Sequence, residues 1–233
     1  MKNFSFLYLV ILVTIFFFSC KKEQEVLPTD TSKNYYTNVE GAYIIYHVDS
    51  FFYNQFTNKI DTFKYDVKEK VVSFFDDAGG RKAQRIQRYL KVNNVWQLMR
   101  VWKAFVNTKQ VEKTEEDITF IKLIFPLNKG SVWNGNAMNT LGKQNYTCTE
   151  FDYKFLVAAQ TFDSCATILQ LSDSTLIAKN ESKEIYAKNI GLVYKRTTHL
   201  EDKTSQIDTS KPIAKRANTG TDVIQYCTEF GNE

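Results

Sequence analysis

Few residues in this chain have the types and spacing that catalysis needs. Its two histidines, His47 and His199, lie in separate segments. His47 and Asp49 are two residues apart, so an extended strand would put both on one face, where a carboxylate can orient an imidazole as a general base. The same spacing also describes an ordinary surface pair. There is no His-Glu-x-x-His, no Cys-x-x-Cys and no His/Cys cluster, so no metal ligands are expected. No Gly-x-Ser-x-Gly, P-loop or dinucleotide fingerprint is present, so no cofactor is expected. Asp76-Asp77 and Glu115-Glu116-Asp117 match no calcium loop and read as solvated turns. Glycosidase chemistry needs two carboxylates facing across a cleft, and 26 acidic residues without a motif nominate no pair. The expectation is a protein that is not an enzyme.

Two aromatic features point to binding instead. Arg81, Lys82, Arg85, Arg88, Lys91, Arg100 and Lys103 surround Trp96 and Trp102. Cations interleaved with aromatic rings can attract an anionic glycan or a nucleic acid; a strand pair with one solvated face gives the same pattern. A formal net charge of +4 is too balanced for a nucleic-acid partner. Trp133, in a loop rich in Gly and Asn, is the candidate ligand-binding residue: its ring could stack on a sugar or plug the end of a barrel. Cys148 and Cys165 would lie nearly opposite if their segments form a hairpin turning near residue 157, making a disulfide possible. Cys227 would then be left over, and the alternative is that all three are small buried residues.

The fourth cysteine belongs to the N-terminus. Lys2 precedes an apolar run, Phe4 to Phe18, with small Ser19 before Cys20. The order of charge, short apolar run and small residue is that of a secretory signal, and the run is shorter than the ~20 residues that span a bilayer. Phe17-Phe18-Ser19-Cys20 resembles the lipobox of bacterial lipoproteins, with Phe17 where that family usually has Leu. The resemblance implies cleavage before Cys20 and a thioether to diacylglycerol there. Lys21 at the next position implies the outer membrane, with its periplasmic and surface faces both open. Two or more acyl chains would anchor the protein stably.

The elements that position these residues read as strands. Residues 1–19 are the signal, 20–38 a polar tether and 39–233 one β-rich domain. Phe63, Tyr65 and Val67 alternate with Thr62, Lys64, Asp66 and Lys68, the period of a half-buried strand. Asn93-Asn94 reads as a tight turn, Ile118 to Phe125 as a central strand apolar on both faces, and Glu181 to Asn189 as one or two helical turns. Residues 201–221 are polar and should be mobile. The expected fold is all-β, an antiparallel meander of about nine to eleven strands closed or half-closed into a barrel. Phe125-Pro126-Leu127 with Trp133-Asn134-Gly135-Asn136, and Tyr186 to Tyr194, resemble segments of uncharacterised β-rich Bacteroidota lipoproteins. That resemblance implies location and fold, not activity. Function is therefore expected to be non-catalytic binding of a ligand or envelope protein, including an apolar-ligand carrier. The alternatives are an assembly factor in an outer-membrane complex or, with less support, a glycan-active enzyme.

Overall fold

The computed structural model describes residues 32–204 and 206–233. Cys20, the signal and the first part of the tether lie outside the described residues.

Twelve antiparallel strands form one sheet: β1 (Ala42–Asn54), β2 (Lys59–Asp76), β3 (Lys82–Val92), β4 (Val95–Val106), β5 (Gln110–Glu115), β6 (Ile118–Ile124), β7 (Val132–Asn134), β8 (Asn145–Val157), β9 (Gln160–Ser174), β10 (Ala178–Ala187), β11 (Gly191–Glu201) and β12 (Thr219–Asn232). Their order is β6-β5-β4-β3-β2-β1-β12-β11-β10-β9-β8-β7. The first and last strands pair in the middle of the sheet, and the free edges belong to strands consecutive in sequence, β6 and β7. The sheet curls until those edges meet in a nearly closed barrel. Across the seam the Ile121 amide donates to the Gly135 carbonyl at 2.8 Å, and the Trp133 indole donates to the Ile121 carbonyl at 2.9 Å.

Local sequence explains the tight turns. Asn93-Asn94, Glu116-Asp117 and Ala158-Ala159 have positive φ at both positions, the backbone a two-residue hairpin needs to match strand twist. Gly220 has φ +120°, and a Cβ there would lie 1.9 Å from the His199 carbonyl oxygen, so only glycine fits.

Several expectations are corrected. Residues 181–187 form most of β10, and 188–189 the turn after it, rather than a helix, because β9 and β11 hold the main chain of 181–187 on both sides and override a weak helical preference. Ile118–Ile124 is the last strand on its side of the sheet rather than a central one. The folded body starts by Ser32, not residue 39: Ser32–Tyr35 is a short 3-10 turn strapped across one end of the barrel. There Asn189 donates to the Asn34 carbonyl at 2.6 Å, Gln84 to the Thr37 carbonyl at 2.9 Å, and Tyr35 shares a 2.8 Å hydrogen bond with Ser164. The connection from β11 to β12 is pinned as well, by a helical turn (Ile213–Arg216), buried Ile213 and an Asp202–Arg216 ion pair. No Cys148–Cys165 disulfide forms: β-bulges in β8 set Cys148 opposite Ile168 and Cys165 opposite Tyr153, and both thiols are free and buried.

Candidate functional site

The interior of the barrel carries a ladder of charges. Glu69 on β2 pairs with Arg88 on β3 and, at 3.1 Å, with Lys113 on β5. Lys113 also meets Glu115 at 3.0 Å. Glu115 meets Lys122 on β6 at 3.4 Å, and Lys122 meets Glu184 on β10 at 2.9 Å. Glu184 ends the ladder with Lys195 on β11 at 3.4 Å and accepts the Tyr186 hydroxyl at 2.7 Å.

Register aligns these groups. Ile44 faces Glu69, Glu69 faces Arg88, and Glu184 faces Lys195 across the ladders, so each charged pair shares one face of the sheet. The side chains of Glu184, Lys122 and Lys113 are 1%, 5% and 8% exposed, so the pairs are held away from water. Burial opposes ionisation of Glu184, yet Lys122 and Lys195 hold it down to about 2. Glu69 and Glu115 are also held below the usual carboxylate range against burial, Glu69 by Lys113 and Arg88 and Glu115 by Lys122 and Lys113. Burial would likewise lower Lys113 and Lys122, but the surrounding carboxylates raise both. Glu69, Glu115, Glu184, Lys113 and Lys122 are therefore held in their charged forms at neutral pH.

Two cavities flank the ladder. One, of about 100 Å³, lies towards the strapped end between Tyr36, Tyr46, Gln84, Ile86 and Tyr186. Gln84 is 1% exposed and its Oε1 accepts no hydrogen bond among the described residues. The other, of about 200 Å³, is a cleft lined by Arg88, Trp102, Leu192, Lys195, Thr197, Val223 and Gln225. Both touch Glu69, Lys113, Glu115 and Leu192, so the ladder is their shared wall.

The barrel wall has a gap beside the cleft. β4 pairs with β5 only over Lys103–Val106, so from Val95 to Trp102 its edge on that side is unpaired. Trp102 stands in this gap. It lines both the cleft and an outer groove of about 540 Å³ that also holds Arg85, Arg100 and Lys103. Its ring lies 4.5 Å from Lys113 Nζ and 5.0 Å from the Arg88 guanidinium carbon.

Residues picked out from the sequence are scattered. His47 is 2.8 Å from Asp66, while Asp49 is 3.7 Å from His47 and 3.0 Å from Lys64; none of the four lines the interior cavities. Trp133 is buried at the seam, with its ring edge-on to Tyr146 at 6.0 Å. The basic hairpin is divided: Arg88 turns inward to Glu69, whereas Arg81 binds Asp77 and Glu112 and Arg100 binds Glu116. Glu115, read as part of a solvated turn, faces inward instead. The two interior cavities are small, and charged side chains form part of the wall of each. Sequence reasoning missed Glu69, Lys113, Lys122, Glu184 and Lys195. One signal was available: Lys122 is the one charged residue in the mostly apolar run from Ile118 to Phe125, and a lysine there must find carboxylates once buried.

No protein-family model matches the chain, and no curated protein matches its sequence. Among solved structures, it is similar to a Bacteroides fragilis protein inferred to be exported and described as having a YmcC-like fold. That likeness has 10% identity and a TM-score of 0.45 and covers 84% of this chain and 98% of that one. It is also similar to an inferred lipoprotein from Parabacteroides distasonis, at 11% identity and TM-score 0.43 over 84% and 98% of the two chains. A Vibrio parahaemolyticus domain, inferred to belong to an outer membrane lipoprotein-sorting protein, follows at 9% identity and TM-score 0.22 over 87% and 89%. At these TM-scores none of the three bears on the chemistry of the cleft.

Proposed function

We propose that this chain is an exported, lipid-anchored envelope protein that binds a small polar ligand, without catalysis, in the cleft behind Trp102. One observation carries the reading: a cleft of about 200 Å³, where Arg88, Lys113 and Lys195 meet Trp102, lies beside the stretch of β4 that leaves β5. Export and anchoring rest on the signal-like run and on Cys20, and Lys21 favours the outer membrane. The ladder supports the non-catalytic reading, because an acid–base catalyst needs a group poised near the working pH. Glu69, Glu115 and Glu184 are instead held firmly ionised.

The test has two arms. Cys20→Ser should release the protein from membranes into a soluble exported fraction; persistence in the membrane fraction at the mature size would refute the anchor. The soluble Cys20→Ser chain should carry or take up a small polar molecule, seen by mass spectrometry of the extracted protein and by calorimetry. Trp102→Ala should weaken that uptake. A chain that binds no small molecule, or binds one equally without Trp102, refutes the cleft.

A second reading, docking of a partner's extended segment, is favoured by the same open edge. Val95, Leu98 and Val101 are each more than half exposed on β4, and unpaired edges invite strand addition. A photo-crosslinker at Leu98 that recovers no envelope protein in cells would remove it.

A further inference from the structure

We infer that the cleft selects a small monoanionic acid of about monosaccharide size, such as an acidic sugar, over its neutral counterpart. This rests on the reading of the cleft as a ligand site.

The first argument is a charge count. Along the ladder, the cations Arg88, Lys113, Lys122 and Lys195 outnumber the carboxylates Glu69, Glu115 and Glu184 by one. The surplus falls on Lys195. The one carboxylate in ion-pair contact with it among the described residues, Glu184 at 3.4 Å, is already engaged at shorter range by Lys122 at 2.9 Å and by the Tyr186 hydroxyl at 2.7 Å. Lys195 is also the most exposed cation of the ladder, at 32%, so an incoming group can reach it.

The second argument is a set of uncommitted donors beside that lysine. Gln225 sits directly opposite Lys195 in the β11–β12 ladder, and Thr197 lies two residues along on the same face. Gln225, which lines the cleft, spends its Oε1 on Arg88 at 3.1 Å, and its amide hydrogens have no protein acceptor among the described residues. The Thr197 hydroxyl has no hydrogen bond among them either. An ammonium, an amide N–H and a hydroxyl at neighbouring positions on one face, all lining the cleft, can together hold a single carboxylate. A phosphate dianion would exceed the one surplus charge.

Size and shape supply the body of the ligand. About 200 Å³ holds roughly six or seven waters, the room of one sugar ring. Trp102 on one wall, with Leu192 and Val223 on the other side, gives such a ring apolar faces to lie against.

The experiment is calorimetric titration of the Cys20→Ser chain with glucuronate, methyl glucoside, glucose 6-phosphate and inorganic phosphate. Glucuronate should bind at least tenfold more tightly than methyl glucoside. Lys195→Met should erase the difference, and Thr197→Val should weaken glucuronate several-fold. Glu184→Gln, which removes a competing carboxylate, should instead tighten it in whatever fraction remains folded. Equal binding of glucuronate and methyl glucoside would overturn the acid selectivity while leaving the cleft a ligand site. Tighter binding of either phosphate would overturn the monoanion. A preference that survives Lys195→Met would overturn the placement. If none of the four binds, the sugar-acid class is wrong, and only a different co-purifying molecule would keep the cleft as a site.

Discussion

Replacing Glu184 by glutamine asks whether the charge ladder holds the barrel together. Glu184 is 1% exposed and joins three partners: Lys122 at 2.9 Å, Lys195 at 3.4 Å and the Tyr186 hydroxyl at 2.7 Å. Glutamine keeps the shape and an acceptor for Tyr186 but removes the charge. Breaking a buried pair by deleting one member costs about 3–5 kcal/mol, mostly because the other charge stays buried. Lys122 would keep Glu115 at 3.4 Å, and Lys195 is partly solvated, which places the cost at the lower end, about 3 kcal/mol. For a domain of this size each kcal/mol shifts Tm by about 2–4 °C, so thermal unfolding by circular dichroism should fall by about 6–12 °C. Urea unfolding gives the free energy directly. Lys122→Met in the same chain should recover part of the loss, because the double variant no longer buries an orphan cation. Lys154→Ala is the control: its pair with Asp163 is about four-fifths exposed, and surface pairs of that kind contribute little. A Glu184→Gln chain as stable as Lys154→Ala would refute the reasoning, since the ladder would then be solvated.

The pH dependence of stability follows from the same groups. The carboxylates have folded values below their unfolded ones, so their contribution is complete above about pH 4.5 and lost as pH falls towards 2, where Glu184 titrates. Lys113 and Lys122 are raised, so their contribution is complete below about pH 10.5 and lost above it. Unfolding midpoints measured across pH should therefore show a broad plateau, and a decline that begins near neutrality would contradict it. Burial pushes the thiols of Cys148 and Cys165 up to about 11 and that of Cys227 up to about 12. In the Cys20→Ser chain no thiol should react with Ellman's reagent at pH 8 until denaturant is added, and three should react afterwards. An intact mass two hydrogens short would instead show a disulfide. Trp133→Phe removes the indole donor that closes the seam, leaving the Ile121 carbonyl short of a partner, at a cost of about 1–3 kcal/mol in urea unfolding. Unchanged stability would mean that the seam does not depend on it.

Much of the fold could be read from the sequence because strands announce themselves locally. Phe63 to Lys68 alternates, Asn93-Asn94 tolerates positive φ, and β-branched and aromatic residues crowd the segments between turns. Residues 181–189 misled because they combine helix-compatible residues with a downstream Gly191. Only pairing with β9 and β11, far more consequential than propensity, makes 181–187 a strand. The site was hidden for a different reason. Glu69, Lys113, Lys122, Glu184 and Lys195 come from five strands, and no linear spacing links them. Bulges in the β2–β3, β5–β6 and β9–β10 ladders also shift the inward face locally, so alternation alone misassigns which residue points into the barrel.

The charges in the interior answer a packing problem as well as offering a site. An eight-stranded barrel is narrow enough for side chains to fill, and width grows with strand number. A twelve-stranded sheet that nearly closes leaves a wider space, and large apolar residues alone would have to fill it without voids. Here Tyr35 and Tyr36 come in from the N-terminal strap at one end. Across the middle, lysine, arginine and glutamate reach further than leucine or valine and meet partners from opposite walls, as Lys122 on β6 does with Glu184 on β10. Such contacts demand both members, so they fix how far the sheet curls more strictly than apolar contacts would. Where β4 leaves β5, that bracing stops short of the wall and Trp102 stands in the opening. A ladder that sets the curvature therefore also exposes its last cation, Lys195, to whatever enters there, so stability and ligand selectivity should respond with opposite sign to loss of the Glu184 charge.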